Sequence, residues 1–271
     1  MIYNNDKEGR MAVFAETVEI VERGNYEFSP SQVVELPDDA SMRAGSVLYS
    51  DEQPEAEETG FDGKTEITVL NEDCIVVGKE LLDAGYNPAV LNLASNKNPG
   101  GGVINGASAQ EESIFRRTNL YRSLYQFAQN ERYGEPSAGE PLDLTKQVHY
   151  KKPLDNNYGG IYTPGATVFR ATDFTLLQNP FQLSFITVAA IKRPNLSMNG
   201  HLKEHDRIKT KNKIRTILRM GLAHGHDSLV LGALGCGAYG NPPIDIASLF
   251  HLVLEEKEFY NKYKKIAFAV M

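Results

Sequence analysis

Five short runs, Glu66-Ile-Thr-Val-Leu70, Ala89-Val-Leu-Asn-Leu-Ala94, Phe185-Ile-Thr-Val-Ala-Ala190, Ser228-Leu-Val-Leu-Gly-Ala233 and Ile266-Ala-Phe-Ala-Val270, recur along the chain with helix-like stretches between them. The first alternates like a half-exposed strand. The others are short, apolar and bounded by polar residues, as strands buried on both faces are. Between them, Val76 to Ala84 and Asp245 to Leu254 have helical character, and Ile214, Ile217, Leu218 and Leu222 line one stripe of a further helix. Such alternation specifies an α/β fold with a mixed, mostly parallel sheet and helices on both faces. With 271 residues, the chain is long enough for that core.

An amino-terminal extension, residues 1–63, precedes this pattern and is expected to pack on the core, residues 64–271, which reads as a single structural unit. In the extension, Met11 to Arg23 has the period of a helix that stops at Gly24-Asn25, whereas Ser29 to Gly63 is acidic and broken, including Asp51 to Glu58. That stretch reads as a surface loop or extended arm. In the core, Ser113 to Phe127 reads as one helix, and Lys209, Lys211, Lys213, Arg215 and Arg219 as the solvated face of another.

A formal charge of −7 argues against indiscriminate binding to nucleic acid or an anionic membrane, and no sequence-specific nucleic-acid partner is expected. Cys74 and Cys236 stand alone, without the spacing of a disulfide framework or a thiolate zinc site. The first ten residues lack the apolar stretch of a signal peptide, and no later run approaches membrane-spanning length. A cytoplasmic protein with no membrane partner is the expectation, and a dedicated secretion system stays open.

Two glycine-rich loops follow two of the strands. The first reads Pro99-Gly-Gly-Gly-Val-Ile-Asn-Gly-Ala-Ser-Ala-Gln-Glu-Glu112. Three consecutive glycines give up packing and cost backbone entropy, so they belong where backbone presses against something such as a pyrophosphate or ribose. At the carboxyl end of a strand they lie where open α/β sheets bind ligands. The second loop, Gly232 to Pro243, contains Gly-x-Gly-x-x-Gly at Gly235, Gly237 and Gly240. A dinucleotide fingerprint would open the nucleotide-binding unit and need an acidic residue after the next strand, which here is the last. A diphosphate-cradling loop fits better, and a plain strand-to-helix turn is the alternative.

Triglycine, a short spacer and Gln110-Glu111-Glu112 resemble the hallmark of poly(ADP-ribose) glycohydrolases, which carry it on a macrodomain. Leu91-Asn-Leu-Ala-Ser-Asn-Lys-Asn-Pro99, Tyr162-Thr-Pro-Gly165, Val168-Phe-Arg170 and Leu231-Gly-Ala-Leu-Gly-Cys-Gly237 are similar to the microbial branch, and the likeness runs from about Met11 to the end. The resemblance implies a three-layer α/β/α macrodomain that releases ADP-ribose from poly(ADP-ribose), or from an ADP-ribosylated protein, with no cofactor and as a monomer. It implies Glu112 as the catalytic acid that protonates the departing ribose oxygen and then assists water, with Glu111 orienting the leaving ribose. Gly100, Gly101, Gly102, Val103 and Gln110 would line the ADP-ribose site, and Gly235, Cys236, Gly237, Ala238, Tyr239 and Gly240 would hold the diphosphate side. Tyr239 matches an aromatic against the distal ribose or is a packed turn residue. Asp73 matches an adenine-reading position or is a helix cap, and Asn96 matches a ribose-binding asparagine.

Because adjacent helical residues point about 100° apart, the two carboxylates are expected at an irregular helix entry. A mono-ADP-ribosyl hydrolase and a non-catalytic ADP-ribose reader are the alternatives to the glycohydrolase. Cys236 reads as a small side chain rather than a nucleophile. His201 and His205 have zinc-pair spacing without the protease glutamate, so no metal is expected. His224 and His226 end a helix, where a cation is welcome.

Overall fold

The computed structural model describes residues 5–55, 61–128 and 147–271; Ala56 to Glu58 of the acidic stretch lie outside them. Contacts divide the chain into two compact units: Met1–Val47, Lys97–Pro153 and Thr163–Ser184 in the first, and Leu48–Asn96, Leu154–Tyr162 and Phe185–Met271 in the second.

The chain carries a seven-stranded sheet. Its strands are β3 (Val47–Tyr49), β4 (Glu66–Leu70), β5 (Pro88–Leu93), β6 (Gly160–Arg170), β7 (Leu176–Val188), β8 (Ser228–Leu231) and β9 (Lys265–Ala269), in the spatial order β3-β6-β7-β5-β8-β9-β4. Of these, β4, β5, β8 and β9 lie wholly in the second unit. The pairs β5 with β8, β8 with β9 and β9 with β4 are parallel. Successive residues of a strand face opposite sides. Ala89, Leu91, Leu229 and Leu231 therefore enter one core with Ile214, Ile217, Leu218 and Met220 of α6 (Glu204–Ala223) and Leu249, Phe250 and Val253 of α7 (Pro243–Leu254). The alternate residues Val90 and Val230 are equally buried. α3 (Cys74–Asp83) packs on β5, β8 and β9 while its apolar residues stand outside that cluster, so it takes the other face. The expectation of helices on both faces holds.

Three of the five cations on the basic face of α6, Lys213, Arg215 and Arg219, are packed or paired rather than simply solvated. Lys213 is 1% exposed, and its Nζ donates to the Leu154 carbonyl at 3.0 Å; burial pushes its ammonium down to about 7. Arg219 pairs with Glu258 and Glu52, and Arg215 with Glu256. The helix stripe is wider than four apolar residues show because long cationic stems also pack. At its carboxyl end, His226 donates from Nδ1 to the Asn87 carbonyl and accepts from the Tyr162 hydroxyl, and Tyr162 stacks on His224. Burial lowers both imidazoles, so the expected cations at this helix end are neutral rings instead.

In the first unit, α1 (Lys7–Arg23) begins a turn before its apolar period because the Asp6 side chain caps Gly9 N–H. It ends where Gly24, at φ +81°, returns its N–H to the Ile20 carbonyl. The stretch from Ser29 is not a bare arm. Asn25–Ser29 and Gln32–Glu35 pair as an antiparallel hairpin (β1 and β2), followed by α2 (Ala40–Ala44) and then β3. Tyr26 and Val34 pin the hairpin to Ile20 and Phe169, too few apolar anchors to give a sequence period. The segment 113–127 is broken into α4 (Gln110–Arg117), α5 (Leu120–Leu124) and a final turn. Thr118 is extended, bridges Val168 of β6, and caps α5 by accepting from Leu120 N–H. Both pieces face one aromatic cluster of Phe14, Phe115, Tyr121 and Tyr125, which is why the apolar period runs across the break.

Candidate active site

In the first unit, the triglycine closes a turn in which Gly101 N–H donates to the Asn98 carbonyl and Val103 N–H to that of Gly100. Gly100 and Gly101 sit at φ +77° and +56°, backbone that side chains other than glycine rarely adopt. A single 3-10 turn, Val103–Asn105, then leads through Gly106 to α4, whose N-cap, Ala109, offers no side-chain acceptor. The first turn of α4 is thus held by something other than its own cap.

That first turn carries Glu111 and Glu112, 3% and 7% exposed. The helix entry is regular, with Ser113 N–H donating to the Ala109 carbonyl, rather than irregular as expected. The carboxylates converge because the loop curls back over the helix start. Gly100 N–H donates to Glu111 Oε1 at 3.1 Å and Gly102 N–H to Glu112 Oε1 at 2.8 Å. A Cβ on Gly101 would lie 2.3 Å from Glu112 Oε1 and 3.1 Å from Glu111 Oε2, so both carboxyl groups border the space a side chain there would need. Glu112 Oε2 is buried and has no hydrogen-bond partner among the described residues. A buried carboxyl oxygen without a partner is costly to maintain and belongs where a group must be delivered.

Three further residues hold this arrangement. Arg116, one turn after Glu112 and fully buried, donates to the carbonyls of Val103, Ala107 and Arg10. Burial draws its guanidinium down to about 10, and the Glu112 charge opposes that fall. Thr17 of α1 donates to the Arg116 carbonyl, and Arg10 to that of Gly106, so the amino-terminal helix is part of the scaffold under the carboxylates. Gln147 donates from Nε2 to the Gly101 carbonyl at 2.6 Å and accepts from Asn105.

In the second unit, the Tyr239 hydroxyl accepts from Asn96 N–H at 2.9 Å and donates to Asn96 Oδ1 at 3.1 Å, a two-point clasp between the second glycine loop and the segment after β5. Asn96 in turn accepts from Leu154 N–H, next to the carbonyl that Lys213 holds. In the glycine loop, Gly235 (φ +74°) has no room for a Cβ, which would meet Ala190 and Asn241 at 2.4 Å, whereas Gly237 and Gly240 face open space. Asn241, 2% exposed, donates to the carbonyls of Ile191 and Gly235 and fixes the loop from behind. Lys192 lies 5.8 Å from the centre of the Tyr239 ring, and Arg193 N–H donates to the Tyr239 carbonyl.

The family model for the microbial-type PARG catalytic domain matches residues 15–171. The chain belongs to this family. Among solved structures, it is similar to poly(ADP-ribose) glycohydrolase (PARG) from Thermomonospora curvata, at 32% identity and a TM-score of 0.77, over 97% of this chain and 93% of that one. A structure of the Thermomonospora curvata enzyme bound to the inhibitor ADP-HPD matches at 32% identity over the same shares, with a TM-score of 0.75. PARG from Deinococcus radiodurans in complex with ADP-ribose matches at 30% identity and a TM-score of 0.66, over 88% of this chain and 92% of that one. No curated protein matches the chain.

Within this microbial-type PARG domain, Gly100, Gly101, Gly102, Glu111 and Glu112 form one cluster, with Gln110 opening the same helix and Val103 buried beneath the loop. Asn96 and Tyr239 form another. Asp73 accepts from Ile75 and Val76 N–H, the cap geometry that was one of its two readings. Cys236 Sγ lies 3.9 Å from the Leu234 carbonyl, and burial raises its thiol, which disfavours a thiolate. His201 and His205 turn to different carboxylates, Asp245 and Asp206. No helix among the described residues is long and apolar enough to cross a membrane.

Sequence reading missed Arg116 and Gln147. The first had a signal, its i+4 spacing from Glu112 on one helix face. Gln147 lies 46 residues from Gly101 with no local pattern to mark it.

Proposed function

We propose that this chain hydrolyses the ribose–ribose bonds of poly(ADP-ribose) and releases ADP-ribose, with Glu112 as general acid and then general base. The observation that carries the assignment to Glu112 is the asymmetry of its carboxyl group: Oε1 is tied to Gly102 N–H, and Oε2 is buried without a partner. Oε2 is thus the atom that bears the transferable proton. In the first step the proton passes to the departing ribose oxygen as the glycosidic C–O bond breaks, and the sugar carbon develops oxocarbenium character. In the second, the Glu112 carboxylate removes a proton from water as the water oxygen bonds to that carbon. Glu111, held by Gly100 N–H, orients ribose hydroxyls.

The triglycine brings backbone against ADP-ribose, and the loop Gly235 to Gly240 cradles its diphosphate with main-chain amides. Tyr239 presents its ring to the distal ribose while its hydroxyl stays engaged with Asn96. Asp73 reads the adenine amino group from its capping position. The protein works as a cytoplasmic monomer without metal or cofactor.

The test compares wild type with Glu112→Gln, which keeps an acceptor for Gly102 N–H but has no proton to give. Glu112→Gln should lose about 10²- to 10⁴-fold in ADP-ribose release from poly(ADP-ribose) and still bind ADP-ribose. Release only from a mono-ADP-ribosylated protein would move the assignment to a mono-ADP-ribosyl hydrolase. Binding with no release by wild type would leave a reader.

A further inference from the structure

We infer that Gln147 is a positioning residue for the acid Glu112, acting through the single peptide group that joins Gly101 to Gly102. The inference rests on the reading of Glu112 as the general acid. In a trans peptide the C=O and N–H point in opposite directions from one rigid plane, and no peptide among the described residues is cis. The Gly101 carbonyl of this peptide accepts from Gln147 Nε2 at 2.6 Å, and its N–H, that of Gly102, donates to Glu112 Oε1 at 2.8 Å. Rotating the plane would break both bonds together.

This peptide needs such a brace. Its residues are glycines, Gly101 lies at φ +56°, and no side chain of its own restrains it. With the plane free to turn, Gly102 N–H would leave Oε1, and the carboxyl group would lose the distinction between its two oxygens. Gln147 removes that freedom. Its amide oxygen accepts from Asn105 Nδ2, so both ends of its amide group are engaged on the loop that joins the triglycine to α4. The neighbouring contacts, Asn98 Nδ2 to the Val148 carbonyl and Tyr150 N–H to the Lys97 carbonyl, anchor the segment that presents Gln147. Polarisation along a hydrogen-bonded chain also strengthens the donor that faces Glu112.

Two variants test the role. Gln147→Leu removes both hydrogen bonds at similar size, and Gln147→Glu keeps the acceptor for Asn105 but offers no amide donor to Gly101. Each should lower kcat on poly(ADP-ribose) by roughly five- to tenfold, the scale of one hydrogen bond, with KM and the Kd for ADP-ribose within about twofold of wild type. In a Glu112→Gln background, Gln147→Leu should cost nothing further. Hydrogen exchange at the Gly102 amide should accelerate in both single variants. Unchanged kcat, a further loss in the Glu112→Gln background, or unchanged Gly102 exchange would each overturn the inference. If wild type itself releases no ADP-ribose, the hydrolase reading fails, and Gly102 exchange still decides whether Gln147 holds the peptide.

Discussion

Adding one methyl group at Gly101 should disable the enzyme more severely than its size suggests. A Cβ there would sit 2.3 Å from Glu112 Oε1, and ordinary contact begins at 3.4 Å, so the carboxylate must retreat by about 1.1 Å. Misplacing a catalytic group by 1 Å costs on the order of 10²-fold, so kcat of Gly101→Ala should fall about a hundredfold or more. Stability should fall as well, because alanine at φ +56° costs about 1–2 kcal/mol and the displaced carboxyl group gives up a hydrogen bond of about 0.5–1.5 kcal/mol. Gly85→Ala separates the two effects, since Gly85 has φ +86° and nothing within 4 Å of a new Cβ. It should lose about 1–2 kcal/mol and keep full activity. Initial rates at saturating poly(ADP-ribose), with thermal unfolding of both variants, make the comparison. Gly101→Ala with kcat within threefold of wild type, and a Tm lowered no more than in Gly85→Ala, would refute the claim that Glu112 is held against this backbone.

The other predictions concern the second unit. Tyr239→Phe keeps the ring but removes the clasp on Asn96, so it should lose about 1–3 kcal/mol of stability through the orphaned Asn96 N–H; an unchanged Tm would show that the clasp contributes nothing. Lys213, drawn down to about 7 when folded, is neutral in the native state and protonated in the unfolded state between that value and its ordinary value near 10.4. The unfolded chain then binds more protons, so stability should rise from pH 7.5 to 9.5, and Lys213→Met should flatten the rise. For His224 and His226 the folded rings resist protonation, so their contribution is present above the usual imidazole value near 6.5 and should be lost as pH falls below it. Denaturant unfolding at pH 7 and pH 5 measures this, and equal losses in wild type and His226→Gln would count against it.

The second unit was legible because its strands and helices each carry a dedicated apolar face. Ala89 to Asn92 is buried along its length, and the run in sequence says so. The first unit was legible only in α1. In β6, Tyr162-Thr-Pro-Gly165 has the composition of a turn, yet Gly165 at φ +56° lies inside the strand and its N–H takes the Ser184 hydroxyl of β7. A local rule reads the Pro-Gly pair and cannot read that distant partner. The glutamates were found by their motif, whereas their convergence was assigned to the wrong element. Helix geometry alone keeps adjacent carboxylates apart, and what unites them is a loop folding back from ten residues upstream. Gln147 and Lys213 were invisible or misread for a related reason. Polar side chains that serve buried carbonyls show no periodicity, and a lysine in a basic helix looks solvated until its partner is known.

The order in which the strands are joined sets a timetable for synthesis. β4 pairs along its whole length with β9, and Glu66 meets Lys265 across 199 residues of chain. At about 5–20 residues per second, β4 leaves the ribosome roughly 10–40 seconds before its partner exists. Its outer residues stay uncovered even afterwards, with Val69 73% and Ile67 51% exposed. The first unit is complete once Ser184 has emerged, so the glutamates and the glycines that hold them are all present while the strand β8 and its neighbour β9 are still untranslated. A nascent chain halted between 185 and 227 therefore carries the whole carboxylate cluster and none of the second glycine loop, and chaperone demand during translation should centre on the waiting strand β4.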